Sequence, residues 1–242
     1  MQLYKFCSLQ DELTWNNLLN HRLWFSNPND FNDPYDCQPN ILDTVFRLGP
    51  ATKIHFHEKD GKEILPCIQG ELNIPYHIQK QIALEILNSY RICCFSSRYD
   101  SILMWSHYAD YHKGFCLVFD TCNDLNFFNN CQNVNYTKER SNYSLGNHNG
   151  KVLLNKYVDW NYENEYRIVK SRQDILSNSN SQIFPYAPKA LVEIIFGAKM
   201  EISKIEEIIN QCKCAEHLKH VVFSKMELAD TEEYQLIKVL VK

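Results

Sequence analysis

With 242 residues, 45% of them hydrophobic and 13% aromatic, the chain has enough apolar surface for one large domain or two small ones around a packed core. Its 25 basic and 29 acidic residues leave a net charge of −4 and are mixed along the chain, which excludes the Lys/Arg stripe of a duplex-DNA binder and leaves nucleic acid only as a substrate. The stretch MQLYKFCSLQDELTW has neither a basic head nor a long apolar run, and nowhere do about eighteen apolar residues follow one another, so the expectation is a cytoplasmic protein with no membrane partner.

Gln2 to Phe6 reads as a strand, with Lys5 a lone cation between apolar neighbours, and Ser8 is placed to cap a helix running through Leu13, Leu18 and Leu19. Leu23 to Ser26 reads as a second strand. In the NPNDFNDPYD segment that follows, prolines, asparagines and aspartates force a compact turn-rich loop, where Asn32 and Asp33 precede Pro34 and Asp36 comes close behind. These side chains either cap their own turns or orient a ligand or a basic group. Residues 39–75 are expected to form an insertion or lid, in which His55 and His57 alternate as on an exposed short strand. Pro75 to Ser89 has the period of an amphipathic helix, with Ile78, Ile82, Leu84, Ile86 and Leu87 supplying its apolar face.

The middle of the chain alternates: RICCFSS as a buried strand, ILMWSHYADYH as a helix, GFCLVFD as another buried strand. On the helix Met104, Tyr108 and Tyr111 share a face, and His107 is either a satisfied structural histidine or a substrate contact. A Ser–His hydrolase would need a nucleophile elbow, and Ser96, Ser97 and Ser106 sit in none. A polar stretch over 138–150 is expected to be a mobile loop, followed by VLLNKYVDW, EYRIVK, ALVEIIFG, a helix from Ile202, HVVFSKMEL and YQLIKVLV. Ten cysteines in a chain of this length and without a leader read as reduced thiols, and Cys7, Cys93, Cys94 and Cys116 lie inside apolar segments where a thiol packs as a small hydrophobe. Cys212, Cys214, His217 and His220 match no common zinc spacing and end a helix whose apolar face is Ile202, Ile205, Ile208, Ile209 and Cys212, so no metal is expected.

YENEYRIV, residues 162–169, sets two glutamates at the start of a strand, where glutamate is poorly accepted. Alternation places Glu163, Glu165 and Arg167 on one face and Tyr166 and Ile168 on the other. That polar face pairs internally, Glu165 with Arg167 or Lys5, or it holds a hydroxyl-bearing or cationic ligand. Helices and strands interleave without a strict βαβ repeat. The expected fold is therefore α+β: a single domain over 1–242 with a mixed to mainly antiparallel central sheet and flanking helices. Only seven glycines are present, and no glycine-rich turn joins a first strand to a helix, which argues against a Rossmann or P-loop fold.

LYKF, FSNPNDFNDPYDC, CFSS, LMWSHYADYHKGFCLVFD, the tyrosine of VNYTK, WNYENEYRI and ALVEIIFG, in this order, resemble the bacterial domain-of-unknown-function family 2971 over residues 2–198. More loosely, a first strand with a polar residue, a serine-bearing central strand and a late strand opening with Glu-x-Glu is similar to the ADP-ribosyltransferase fold. That resemblance implies NAD as substrate. It makes Glu165 the catalytic glutamate that holds the ribose and faces its developing positive charge, and Glu163 the residue that orients the acceptor. Ser96 and Ser97 fall at the middle motif, and His107 or Tyr108 on the nicotinamide side. Asn32, Asp33 and Arg167 complete the cofactor-binding candidates. Lys5 stands where the fold normally has histidine or arginine; it can hold a phosphate or ribose oxygen, without the bidentate fork of arginine.

The expected function is thus an ADP-ribosyltransferase or NAD glycohydrolase acting on a macromolecule (protein or nucleic acid) or water, as a toxin or phage-defence effector. Two alternatives stand beside it. One is a non-catalytic module of the same fold binding a ligand or partner, with Glu163, Glu165 and Arg167 as a structural ion network. The other is a nucleic-acid-processing enzyme with a divalent metal on Asp33, Asp36 and Glu165.

Overall fold

The computed structural model describes residues 1–10, 12–38, 40–41, 46–48, 70–72, 76–143, 150–178 and 182–241. Most of the expected insertion at 39–75, and residues 144–149 of the expected loop at 138–150, lie outside these described residues.

An eight-stranded sheet organises the chain. Its strands are β1 (Gln2–Cys7), β2 (Arg91–Ser96), β3 (Phe115–Asp120), β4 (Cys131–Asn133), β5 (Glu165–Lys170), β6 (Leu191–Phe196), β7 (Val222–Leu228) and β8 (Leu236–Leu240). Across the sheet they run β8-β7-β6-β3-β1-β2-β5-β4. Only β6 and β7 pair in parallel; every other neighbour is antiparallel. The architecture is α+β with a large mixed sheet. The helices are α1 (Glu12–Leu19), α2 (Tyr76–Asn88), α3 (Ile102–Tyr108), α4 (Leu125–Phe128), α5 (Arg172–Leu176) and α6 (Ile202–Cys214).

Period-two alternation sends residues to both faces of this sheet. One face gathers Leu3, Phe95, Phe115, Leu117, Phe119, Ile194 and Phe196 under Leu18 of α1 and Ile205, Ile208 and Cys212 of α6. The opposite face buries Tyr4, Cys116, Val118 and Ile195 beneath Trp105 and Ala109 at the end of α3. A third cluster joins Ala83 and Leu87 of α2 to Ile92, Cys37 and Leu153. Each burial of an aliphatic or aromatic side chain of this size contributes about 1.5–3 kcal/mol.

The pairing of β1 is uneven. It meets β3 over six positions, from Gln2↔Asp120 to Cys7↔Phe115, and meets β2 only at Tyr4↔Ser96. On the far side, β2 pairs β5 from Glu165↔Ser96 through Lys170↔Arg91. The sheet therefore parts between β1 and β2, hinged at one residue pair.

Several local expectations change. Ser8 accepts from the Gln10 amide, forming a turn before the helix rather than its cap. The second strand ends at Trp24, and Ser26 instead bridges to Ile92. The third helix stops at Tyr108, because Asp110, Tyr111 and His112 all take left-handed backbone, with φ of 48°, 53° and 70°. This turn brings the backbone at Gly114 so close to β1 that a Cβ there would lie 2.2 Å from the Cys7 carbonyl oxygen, which only glycine permits. VLLNKYVDW is two short 3₁₀ segments around Asn155–Tyr157, a strand that pairs in parallel with Asn135–Thr137.

Candidate functional site

The Glu-x-Glu segment turns a corner. Val158–Glu163 is a 3₁₀ helix ended by Asn164 at φ 44°, after which β5 begins at Glu165. The corner is pinned from β2: the Ser96 hydroxyl donates to the Glu163 carbonyl at 2.6 Å, and the Ser97 amide donates to the Asn164 carbonyl at 3.0 Å. Tyr136 accepts from the Glu165 amide at 2.8 Å. Alternation along β5 holds as expected from there, but the polar face is the interior one: Glu165 is 4% exposed and Arg167 0%.

Five buried charges meet on that face. Arg167 grips Glu165 through Nε and Nη2 at 2.7 and 2.9 Å, and grips Asp36 through Nη1 and Nη2 at 2.9 and 2.7 Å. Its Nη1 also donates to the Leu153 carbonyl at 2.8 Å, and the guanidinium lies over the Phe31 ring at 5.3 Å. The planar fork suits this double bidentate role as an ammonium would not. Lys156 supplies the second cation, bonded to Glu163, 3.2 Å from Glu165 and 3.4 Å from Asp36, with its ammonium 5.0 Å from the Trp160 ring.

Three carboxylates share two cations, so one negative charge is left over. Burial would raise the Glu165 carboxyl, but Arg167 and Lys156 outweigh it and hold that group at about 2. Glu163 moves the other way: burial pushes it up, Lys156 opposes, and the neighbouring Glu165 adds to the rise. Two adjacent carboxyls are thus driven apart, and Glu163 is the one able to exchange a proton. The Tyr108 hydroxyl donates to Glu163 Oε1 at 2.6 Å, and burial followed by Glu163 raises the phenol well above its ordinary value.

A cleft of about 420 Å³ opens where the sheet parts. Its walls include Lys5 from β1, Ser96 from β2, Asn32, His107 and Tyr108, with Glu163, Glu165 and Arg167 on the β5 side. Lys5 is half-buried; its ammonium donates to the Cys94 carbonyl across the gap at 3.4 Å and lies 5.8 Å from the Phe95 ring, with no carboxylate partner among the described residues. Asn32 donates to the Tyr108 oxygen at 3.5 Å. His107 is exposed, its ring 6.2 Å from those of Tyr108 and Tyr162.

Eight of the expected site residues are therefore brought to one cleft: Glu163, Glu165, Lys5, Ser96, His107, Tyr108, Asn32 and Arg167. Two are not. Ser97 is exposed and contributes its amide to the corner, and Asp33 uses Oδ1 to accept from the Tyr35 amide at 2.8 Å, capping its own turn. Lys5 does not partner Glu165; Arg167 does. The divalent-metal alternative has no free carboxylate set, since Asp36 and Glu165 are committed to Arg167. Among the described residues no group of three or more His, Cys, Asp or Glu side chains is gathered for a metal. Sequence reasoning missed Lys156, whose one signal is a lone cation inside the apolar VLLNKYV run.

Residues 104–168 match the family described as Protein of unknown function (DUF2971). The likeness to this family covers that segment alone. The match spans Tyr108, Lys156, Glu163, Glu165 and Arg167, so most of α3 and most of the charge network fall within it, whereas Lys5 and Asp36 lie outside. Comparisons with curated proteins and with solved structures give no match. Among the described residues no helix is long and apolar enough to cross a membrane.

Proposed function

We propose that the chain is an NAD-cleaving enzyme of ADP-ribosyltransferase type, with the dinucleotide lying in the parted sheet and Glu163, rather than Glu165, as the carboxylate at the reacting ribose. The observation that carries this reading is the division of labour between the two glutamates. Both oxygens of Glu165 are taken by Arg167, and one is shared with Lys156. Glu163 lines the cleft with Oε1 accepting from Tyr108 and Oε2 from Lys156, so it meets one cation where Glu165 meets two.

In this reading Lys5 supplies the cation for a phosphate or ribose oxygen, because no carboxylate among the described residues competes for it. Asn32 and Tyr108 hold the ribose and nicotinamide side, with His107 at the rim. The bond between ribose C1′ and the nicotinamide nitrogen breaks, and nicotinamide leaves as a neutral base with the bonding electron pair. Positive charge then grows on the ribose next to Glu163, where a fixed anion in a water-poor wall stabilises it. An acceptor hydroxyl, amine or water forms the new bond to C1′, and its proton passes to Glu163. Ser96 acts as a positioning residue, fixing the corner from which Glu163 projects. The setting, toxin or defence effector, rests on the resemblance alone.

A second reading keeps the same cleft without chemistry, as a ligand-binding module. It is favoured by the completeness of the network around Arg167, which is what a purely structural ion cluster requires. Nicotinamide release on incubation with NAD separates the two. The enzyme reading expects release by the wild type and its loss in Glu163→Gln with NAD binding retained. Tight NAD binding with no release by either protein supports the binding module instead.

A further inference from the structure

A second cavity, of about 430 Å³, lies against the first and has no part in the proposed donor chemistry. Asn32 and Lys156 line both spaces, and Lys156 is the residue bonded to Glu163. A molecule seated in the second cavity therefore sits across one side chain from the carboxylate assigned to the reacting ribose. The walls are aromatic: Tyr157 and Tyr35 are 46% and 64% exposed, and Trp160 completes the set. Lys138 and Arg140 stand at the same cavity, the Arg140 guanidinium 5.4 Å from the Tyr35 ring.

We infer that this cavity is the acceptor subsite and that it takes a base of single-stranded nucleic acid. The inference rests on the reading of the neighbouring cleft as the NAD site. Flat rings offered at a pocket's edge suit a planar π-faced group, and cations beside them suit the phosphate that accompanies a base. A guanidinium or ammonium acceptor is a poorer fit. Asp33 has one oxygen committed to the Tyr35 amide, Glu139 is flanked in sequence by Lys138 and Arg140, and Lys156 adds a further cation where the two spaces meet. A net charge of −4, with basic and acidic residues mixed along the sequence, does not suit a duplex, whereas an unstacked base needs only stacking and a few phosphate contacts. In the transfer, the bond from C1′ to nicotinamide breaks, a ring or exocyclic nitrogen of the base bonds to C1′, and the proton it loses goes to Glu163.

Fluorescence anisotropy of labelled single-stranded DNA and RNA oligomers of about twelve nucleotides, measured with the full chain and without NAD, tests this. Binding is expected to weaken about tenfold in Tyr157→Ala. In Arg140→Gln the slope of log affinity against log salt is expected to shrink by about 0.7, the share of one phosphate contact on a single strand. Circular dichroism melts confirm that both variants are folded. No binding to either polymer, or binding indifferent to both substitutions, overturns the inference. Nicotinamide release from NAD with no oligomer binding overturns it while the donor reading stands. Tyr157-dependent oligomer binding with no nicotinamide release sinks the donor reading and, with it, the acceptor role.

Discussion

On the β5 side of the cleft, Asp36, Glu163, Glu165, Lys156 and Arg167 are buried and bonded to one another; on the β1 side, Lys5 meets the Cys94 carbonyl, the Cys93 thiol and a ring face, with no carboxylate among the described residues. Burying a charge is tolerable when an opposite charge and well-directed hydrogen bonds replace water, and the first flank meets that condition while the second does not. The first flank therefore reads as the scaffold and the second as the place where a ligand's own anion completes the pairing. Glu163 belongs to both, as the network's surplus negative charge.

The comparison breaks most visibly at Arg167. Arg167→Met leaves Asp36, Glu163 and Glu165 sharing Lys156 as their one cation within the network, and the expected cost is about 3–5 kcal/mol of unfolding free energy by urea titration. A variant as stable as the wild type would show that the network holds nothing. Glu165 tests the same flank by pH. Its carboxyl is depressed from 4.5 to about 2, so the stability it contributes is present above pH 4.5 and is lost as the pH falls through 2, on the order of 3 kcal/mol. Glu163 works in the opposite sense: its raised carboxyl favours the fold when protonated, and that contribution fades as the pH climbs through its folded value. Melting curves of Glu165→Gln should accordingly lose the part of the acid limb that Glu165 is expected to give the wild type.

Smaller effects sharpen the boundary between the flanks. Ser96→Ala removes the hydroxyl that ties Glu163 to β2, at about 1 kcal/mol, and should lower kcat for nicotinamide release more than it raises KM. An unchanged kcat would mean that the corner does not position Glu163. Lys5→Gln should cost about 1 kcal/mol of stability, the scale of the hydrogen bond lost at Cys94 and Cys93, yet weaken NAD binding about tenfold by calorimetry. A large stability loss with unchanged affinity would move Lys5 to the scaffold.

The strands around the cleft were legible because RICCFSS, GFCLVFD, EYRIVK and ALVEIIFG are short apolar runs bounded by turn residues. The grouping of Glu165 with Arg167 followed from alternation alone. Asp36 was visible only as a turn residue, because its partner lies 131 positions away, and no local period encodes a contact of that range. Lys156 looked like an interruption of an apolar run until folding surrounded it with three carboxylates. The left-handed run at Asp110–His112 was equally hidden, since YADYH continues the preceding helix in composition and departs from it because the backbone must pass close to Cys7 at Gly114.

The most direct test of the central claim measures free nicotinamide after incubation of wild type, Glu163→Gln and Tyr108→Phe with NAD, alongside calorimetric binding of NAD to each. The account predicts release by the wild type, abolition in Glu163→Gln and a marked reduction in Tyr108→Phe, with all three proteins still binding the dinucleotide. Equal release by wild type and Glu163→Gln, or no NAD binding by the folded wild type, would contradict it.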